Sequence, residues 1–177
     1  SDEHIGSMLR SKTVMVTGAA GSIGSEIVRQ VAQHNPHAIV LVEMAESPLH
    51  DLFIELHPQF PEIQIIHIIA DVRNLDMLEP IFKEYQPDIV FHAAAYKHVP
   101  LMEDYPAQAV LANVLGTKNV ADMAVKYGTK RFVMISTDKA VNPTNVMGAS
   151  KRIAEIYVQS LFLKLIKKNA DCTKFIT

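Results

Sequence analysis

Short apolar runs alternate with segments of helical periodicity along almost the whole chain. The apolar runs predict five strands, at 12–17, 37–42, 63–69, 88–92 and 130–135. Apolar positions that recur every three or four residues predict helices at 22–34, 47–57, 74–85, about 104–126 and about 147–168. A last apolar run, from Thr173 to Ile176, predicts the start of a sixth strand.

Strands that alternate with helices are typical of α/β domains, because each parallel pair needs a right-handed crossover. We therefore expect a Rossmann-type, doubly wound parallel sheet with helices on both faces. With 177 residues, of which 49% are hydrophobic, the chain can bury a single core. Residues 1–7 look like the remnant of an expression tag, so the domain is expected to cover residues 8–177.

The first predicted strand runs directly into a glycine-rich turn that a helix follows. This order is the context that a dinucleotide fingerprint requires, although a purely structural turn is the alternative. Gly18 allows the tight turn, Gly21 lets the backbone approach a pyrophosphate, and Gly24 allows close packing of helix on strand. The N-terminus of the helix would present N–H groups to the phosphates. The predicted contacts here are Gly18, Gly21, Ser22, Ile23 and Gly24.

Acidic residues follow the next two strands. Glu43 lies 19 positions after Gly24, where a carboxylate accepts hydrogen bonds from the adenosine ribose hydroxyls and repels a 2′-phosphate. This favours NAD over NADP; a solvated glutamate at a strand end is the alternative. Asp71 and Val72 close the third strand, and Asp71 is a candidate contact for the adenine amino group or else a turn-forming residue.

An acid and a base follow the fifth strand. Asp138 and Lys139 come directly after the apolar run 131–135, at the carboxyl end of a strand, where ligands bind in a doubly wound sheet. Such a pair suits elimination as well as hydride transfer. A solvated turn is the alternative, since Asp, Asn, Pro and Thr all favour turns.

Four segments of the chain resemble the extended short-chain dehydrogenase/reductases. Among the members of this superfamily, the segments resemble the nucleotide-sugar 4,6-dehydratases of bacterial polysaccharide biosynthesis, the capsule, O-antigen and bacillosamine group. The segments are Thr17–Glu26, Phe91–Glu103, Asn113–Asn119 and Ser136–Lys151. The resemblance covers essentially all of residues 12–177. It implies an NAD-dependent lyase acting on a UDP-N-acetylglucosamine-type sugar, and a catalytic module whose C-terminal substrate lobe is missing from these 177 residues.

The resemblance also implies roles for the residues of the last segment. Asp138 protonates the C6 hydroxyl as water leaves, and Lys139 removes the C5 proton, for which its pKa must be lowered. Thr137 hydrogen-bonds the C4 oxygen, and Lys151 binds the nicotinamide ribose. Met147 replaces the catalytic Tyr of the superfamily. Because a thioether cannot take the C4 hydroxyl proton, Asp138, or Thr137 through water, is the candidate for that step.

Further contacts are expected in the loop after the fourth strand. Its alanines leave room for a cofactor, with ordinary helix–sheet packing as the alternative; they are Ala93, Ala94 and Ala95. Lys97 and His98 are candidate substrate contacts, or else surface residues. Asn113 matches the active-site Asn of the superfamily, and a mid-helix Asn indicates a nearby partner; simple exposure is the alternative.

The resemblance extends to assembly and location. The predicted helices 104–126 and 147–168 are the pair that mediates dimers in the superfamily, so a homodimer or higher oligomer is expected. Members with Met in place of the catalytic Tyr are typically large dehydratases with an N-terminal membrane region. The whole protein is therefore expected at the cytoplasmic face of the inner membrane, with this module in the cytoplasm.

Composition excludes several other functions. A net charge of −2 offers no basic field for nucleic acid. The single cysteine, Cys172, excludes an internal disulfide and suits a reducing compartment. No CxxC, HExxH or clustered-histidine pattern indicates a metal, and most of the scattered histidines are expected at the surface or at strand edges. No apolar run approaches the ~18 residues of a membrane span.

Two other functions remain open. An epimerase of the same superfamily needs C4 oxidation but no C6 chemistry, and the pair Asp138 and Lys139 argues against it. A non-catalytic NAD-binding module would keep the cofactor and would use neither of these residues.

Overall fold

The computed structural model describes residues 2–94, 107, 111–135, 146–168 and 172–176. Its strands are β1 (Thr13–Thr17), β2 (Ala38–Glu43), β3 (Gln64–Ile69), β4 (Ile89–His92), β5 (Arg131–Met134) and β6 (Lys174–Ile176). Its helices are α1 (Asp2–Leu9), α2 (Ser22–Ala32), α3 (Glu46–Leu56), α4 (Leu75–Tyr85), α5 (Gly116–Lys126) and α6 (Val146–Lys168). A π-helical turn at Leu111–Leu115 leads into α5.

The six described strands form one parallel sheet in the order β3-β2-β1-β4-β5-β6. The chain builds outward from β1 to β3, then crosses over to β4 on the other side of β1 and builds outward again. The direction in which strands are added reverses between β1 and β4. In a doubly wound sheet, such a reversal opens a crevice at the carboxyl ends of the two strands. The Rossmann-type fold expected from the sequence is confirmed.

The sheet is covered on both faces because its central strands alternate apolar side chains between two buried layers. Val14 and Val16 of β1 lie in one apolar cluster with side chains of α2 and α3. Met15 lies in the other, with side chains of α4, α5 and α6. Period-two alternation with both faces buried explains the near-continuous apolar runs that predicted these strands.

The predicted strand boundaries agree with the structure to within one residue at each end. The predicted helix at 104–126 is confirmed from Gly116, and the residues before it are a π-helical turn from Leu111. Apart from residue 107, its beginning lies outside the described residues. Gly128 follows α5 with a φ of 77°, the left-handed conformation that glycine commonly adopts just past the C-terminus of a helix.

The segment left out of the predicted domain forms most of α1. Leu9, at its end, is buried in the apolar cluster that it shares with α2 and α3. Leu9 belongs to the predicted domain, however, and among residues 3–7 of the segment only Gly6 is buried. Its interpretation as a tag remnant stays a prediction.

Candidate cofactor site

The carboxyl ends of the central strands form one edge of the sheet. Thr17 of β1 is in register with Val42 of β2 and with His92 of β4. The turns that follow these strands therefore lie side by side. This brings together the glycine-rich turn, Glu43 and two of the alanines after β4, Ala93 and Ala94.

Two positions of the glycine-rich turn, Gly18 and Gly24, have no room for a side chain. Gly18 has a φ of 63°, and a Cβ added there would lie 2.7 Å from the backbone N of Ala94. A Cβ on Gly24 would collide with the carbonyl oxygen of Gly18. The first glycine therefore allows the turn to lie against the loop after β4. The third allows α2 to begin directly against the turn, as close helix–strand packing requires.

Helix α2 begins with its first turn next to this loop. Its N-cap is Gly21, which has no side chain with which to bond the first N–H groups, and the Gly21 N–H donates to the Gly18 carbonyl at 3.1 Å. Ser22 and Ile23 form the start of the helix, and the Ile23 side chain is exposed. A helix N-terminus of this kind can receive an anionic group through its N–H groups and its dipole.

Glu43 ties the glycine-rich turn to the end of β2. Its Oε1 accepts a hydrogen bond from the Ala20 N–H at 3.0 Å. Its Oε2 accepts from the N–H groups of Met44 at 2.9 Å and Ala45 at 3.1 Å. The alternative of a merely solvated glutamate is therefore wrong. Each carboxylate oxygen has two acceptor positions, so Oε1 keeps capacity for a further donor such as a ribose hydroxyl.

Asp71 forms the turn after β3. Its Oδ1 accepts from the Arg73 N–H at 2.9 Å, and its carboxylate is paired with the Arg73 guanidinium at 2.5 Å. Hydrogen bonding to that guanidinium holds the pKa of Asp71 below its usual range. Arg73 Nη2 also lies 3.8 Å from the Met44 sulfur, so the pair reaches the end of β2. The turn-forming role is present; contact with adenine stays a prediction.

A buried histidine lies beneath the turns. Sequence reasoning did not single out His92, which is only 2% exposed. Its Nδ1 lies 2.6 Å from the Thr17 hydroxyl, and its Nε2 lies 3.0 Å from the Thr117 hydroxyl. The three side chains connect β1, β4 and α5 directly below the glycine-rich turn. A polar residue at the end of an otherwise apolar strand was the available signal.

Two asparagines at the start of the long helix are buried. Asn113 lies in the π-helical turn and is 1% exposed, so the alternative of simple exposure is wrong. Turns of this kind interrupt helices frequently at functional sites. Asn119, six residues later, is 7% exposed and donates from Nδ2 to the carbonyls of Val72 and Arg73. Sequence reasoning had given it no role of its own.

The other predicted site residues divide into three groups. Val72 is buried with its side chain in the core, and Ala93 and Ala94 line the site half-buried. Met147 and Lys151 lie in the first turns of α6, where only the backbone is described. The remainder lie outside the described residues; they are Ala95, Lys97, His98, Thr137, Asp138 and Lys139.

Neither a metal cluster nor a membrane span is found among the described residues. Their His, Cys, Asp and Glu side chains form no group of three or more that could hold a metal ion. In the same part of the chain, no helix combines the length and the apolar character that crossing a bilayer demands.

Known proteins match this chain over most of its length. The model of a family described as polysaccharide biosynthesis protein matches residues 14–177. The "Capsular polysaccharide biosynthesis protein CapD" of Staphylococcus aureus is 51% identical over 86% of the chain. The "Probable polysaccharide biosynthesis protein EpsC" of Bacillus subtilis is 50% identical over 89% of it. The chain spans 26% and 27% of the length of these two relatives.

A solved structure shows the same fold. The UDP-glucose-4-epimerase of Stenotrophomonas maltophila, solved with NAD and formylated UDP-arabinopyranose, superposes with a TM-score of 0.77. The match covers 86% of this chain and 49% of that one, at 21% sequence identity. At this identity the likeness establishes the fold alone.

Proposed function

The chain belongs to the polysaccharide biosynthesis protein family, and on that premise we propose that it forms the NAD-binding part of a nucleotide-sugar 4,6-dehydratase. Its product would feed the assembly of a bacterial surface polysaccharide or glycan, such as a capsule or O-antigen. The observation that carries the proposal is the glycine-rich turn packed against the loop after β4, with Glu43 bonded to its Ala20 N–H.

The residues at the carboxyl edge fit a dinucleotide. The cradle between Gly18, Gly24 and Ala94 is one that a single added Cβ would fill, as expected where a backbone must approach a pyrophosphate. The start of α2 suits the phosphate charge. We expect the Glu43 carboxylate to repel the 2′-phosphate of NADP, so NAD is the proposed cofactor. In the same fold, the epimerase of Stenotrophomonas maltophila was solved with NAD bound.

In the proposed reaction, different residues after β5 carry out the separate steps that remove water from the sugar. NAD, when bound, supplies hydride transfer at C4 and C6 of the sugar. Thr137 positions the C4 oxygen, Lys139 removes the C5 proton, and Asp138 protonates the C6 hydroxyl so that water leaves. Lys139 requires a lowered pKa for this, which desolvation or a nearby cation provides. Lys151 holds the nicotinamide ribose.

The residue that takes the C4 hydroxyl proton differs from the usual Tyr of the superfamily. Met147 has no exchangeable proton, so we assign this step to Asp138, or to Thr137 acting through water. Asn113, buried in the π-helical turn, together with Lys97 and His98, is proposed to contact the nucleotide-sugar. The whole protein is proposed to be a homodimer or higher oligomer at the cytoplasmic face of the inner membrane.

An epimerase is the second candidate, because a UDP-glucose-4-epimerase shares the fold. Epimerisation needs C4 oxidation without loss of water, and so it gives Asp138 and Lys139 no C6 chemistry. A non-catalytic NAD-binding module is the third, and the absence of a phenol at Met147 favours it. The mass of the nucleotide-sugar separates the dehydratase from the other two candidates, because an epimerase leaves its formula unchanged and a non-catalytic module leaves the sugar itself unchanged.

The test incubates the protein as its gene encodes it with UDP-N-acetylglucosamine and NAD in deuterated water. Mass spectrometry then follows the nucleotide-sugar. A dehydratase gives loss of one water and gain of one carbon-bound deuterium, whereas an epimerase gives a product of unchanged formula. A sugar that returns unchanged while NAD still binds contradicts the substrate or the catalytic proposal, and other UDP-sugars then separate these two.

The matched variants are Asp138→Asn and Lys139→Ala. Each is expected to suppress water loss by about a hundredfold or more, as removal of a general acid or base does, while leaving NAD affinity close to that of the parent. If Lys139→Ala turns over at the rate of the parent protein, Lys139 is not the base that removes the C5 proton.

A further inference from the structure

A buried amide on α5 reaches the loop that follows β3. Asn119 Nδ2 lies 3.0 Å from the carbonyl oxygen of Val72 and 3.2 Å from that of Arg73. The two bonds span 47 and 46 positions of sequence. A side-chain amide carries two N–H donors, and here both are directed at successive carbonyls of one turn.

This arrangement determines how the loop leaves the sheet. The loop turns immediately after β3, where Asp71 accepts the Arg73 N–H. The carbonyls of Val72 and Arg73 face the Asn119 amide on the inner side of the loop. Inward carbonyls need partners, because a buried carbonyl without a hydrogen bond is destabilising. Asn119 provides a partner for both. With a side chain that lacks donors at position 119, the two carbonyls would have to hydrogen-bond water instead, and the loop would change its conformation.

The loop held in this way belongs to the adenosine side of the site. The Arg73 side chain is paired with Asp71 and lies within 3.8 Å of the sulfur of Met44, the residue after Glu43. Glu43 in turn bonds the glycine-rich turn. A displacement of the Val72–Arg73 backbone would therefore move Met44, the neighbour of Glu43, which is the proposed ribose contact.

We infer that Asn119 is a positioning residue for the adenosine half of the dinucleotide. Its amide holds the backbone of Val72 and Arg73, and with it the Asp71–Arg73 ion pair, beside the proposed adenosine position. The inference rests on the proposed function in one respect, the binding of a dinucleotide. It is independent of the sugar chemistry.

The test compares ligands that carry only one half of the cofactor. Isothermal titration of the purified protein would measure the affinities for NAD, ADP and nicotinamide mononucleotide. In Asn119→Leu, which keeps a similar volume but has no donors, the affinities for NAD and ADP are expected to fall about tenfold, as loss of two hydrogen bonds would predict. The affinity for nicotinamide mononucleotide is expected to stay unchanged.

The control is Lys118→Ala. It alters the neighbouring residue on the same helix, which is exposed and contacts Asp122 rather than the loop. It is expected to leave all three affinities unchanged. If Asn119→Leu binds ADP like the parent, or loses both half-ligands equally, the positioning role is wrong. If the parent itself binds neither NAD nor ADP, the proposed function fails instead.

A measurement on the unaltered protein covers the case in which Asn119→Leu does not fold. Selective ¹⁵N labelling of asparagine makes the Nδ2 resonances visible by NMR. ADP is expected to shift the Asn119 Nδ2 resonance and to slow exchange of its protons, whereas nicotinamide mononucleotide is expected to do neither. If neither the chemical shift nor the proton exchange of the Asn119 Nδ2 group changes at saturating ADP, the inference is wrong.

Discussion

The two turns beside the proposed adenosine site are held in different ways. The turn after β1 depends on absent side chains, since a Cβ at Gly18 or Gly24 would meet backbone atoms. The turn after β3 depends on side chains that are present, the carboxylate of Asp71 and the amide of Asn119. A turn of the first kind does not tolerate an added side-chain atom. A turn of the second kind can lose one hydrogen-bond partner and keep the others.

The largest effect is expected from breaking the steric turn. Gly24→Ala places a Cβ against the Gly18 carbonyl oxygen, so that the backbone at one of the two positions must shift. We expect urea denaturation to show a loss of about 3 kcal/mol in unfolding free energy, typical of overpacking. Calorimetric titration should detect no NAD binding.

Gly128→Ala is the matched glycine control. A Cβ there meets nothing within 4 Å, and only the φ of 77° is unfavourable. The expected cost is about 1 kcal/mol, with NAD binding retained. Equal losses in both variants, or NAD binding by Gly24→Ala, would contradict the steric account.

An intermediate effect is expected at Glu43, which connects the two kinds of turn. In Glu43→Gln one acceptor oxygen becomes an NH₂ group, so either Ala20 or the pair Met44 and Ala45 loses its partner. The affinity for NAD should fall about tenfold, the equivalent of one or two such hydrogen bonds. Because the negative charge is also lost, the preference for NAD over NADP should narrow. Titration with both cofactors measures this, and an unchanged ratio would show that the carboxylate does not select between them.

The smallest effect is expected from Asp71, because its turn keeps Asn119 when the ion pair is lost. The pKa of Asp71 is lowered by the Arg73 guanidinium. The pair therefore stabilises the fold above the unfolded carboxyl pKa of about 4 and stops doing so as the pH falls through the lower folded value. Asp71→Asn should thus lower the Tm by about 2–4 °C or less at pH 7, and progressively less towards pH 2. A difference in Tm that is the same at every pH would exclude an electrostatic origin.

The features that depend on nearby residues were predictable. Apolar runs placed the strands, because strands buried on both faces leave a continuous pattern. Gly24 was assigned a structural role that the packing supports, since the carbonyl it packs against is that of nearby Gly18. The φ of 63° at Gly18 likewise fits the tight turn expected there. The catalytic assignments of Asp138 and Lys139 stay predictions.

The features that depend on distant partners were not predictable. His92 is one of the scattered histidines, most of which were expected at the surface or at strand edges, yet it is buried between Thr17, 75 positions away, and Thr117. Asn119 bonds carbonyls 46 and 47 positions earlier, and no periodicity indicates which carbonyls lack a partner. The burial of Leu9 likewise becomes visible only when α2 and α3 are in place.

The strand order has a consequence for the order of events during synthesis. β1 lies at the centre of the sheet, and its second neighbour is β4, with Val14 in register with Ile89. A ribosome therefore delivers β1, β2 and β3 as a half-sheet with an unpaired inner edge until the chain has extended past β4. Because parallel pairs close only through such long crossovers, this protein is expected to fold slowly and to be most prone to aggregation while that edge is open.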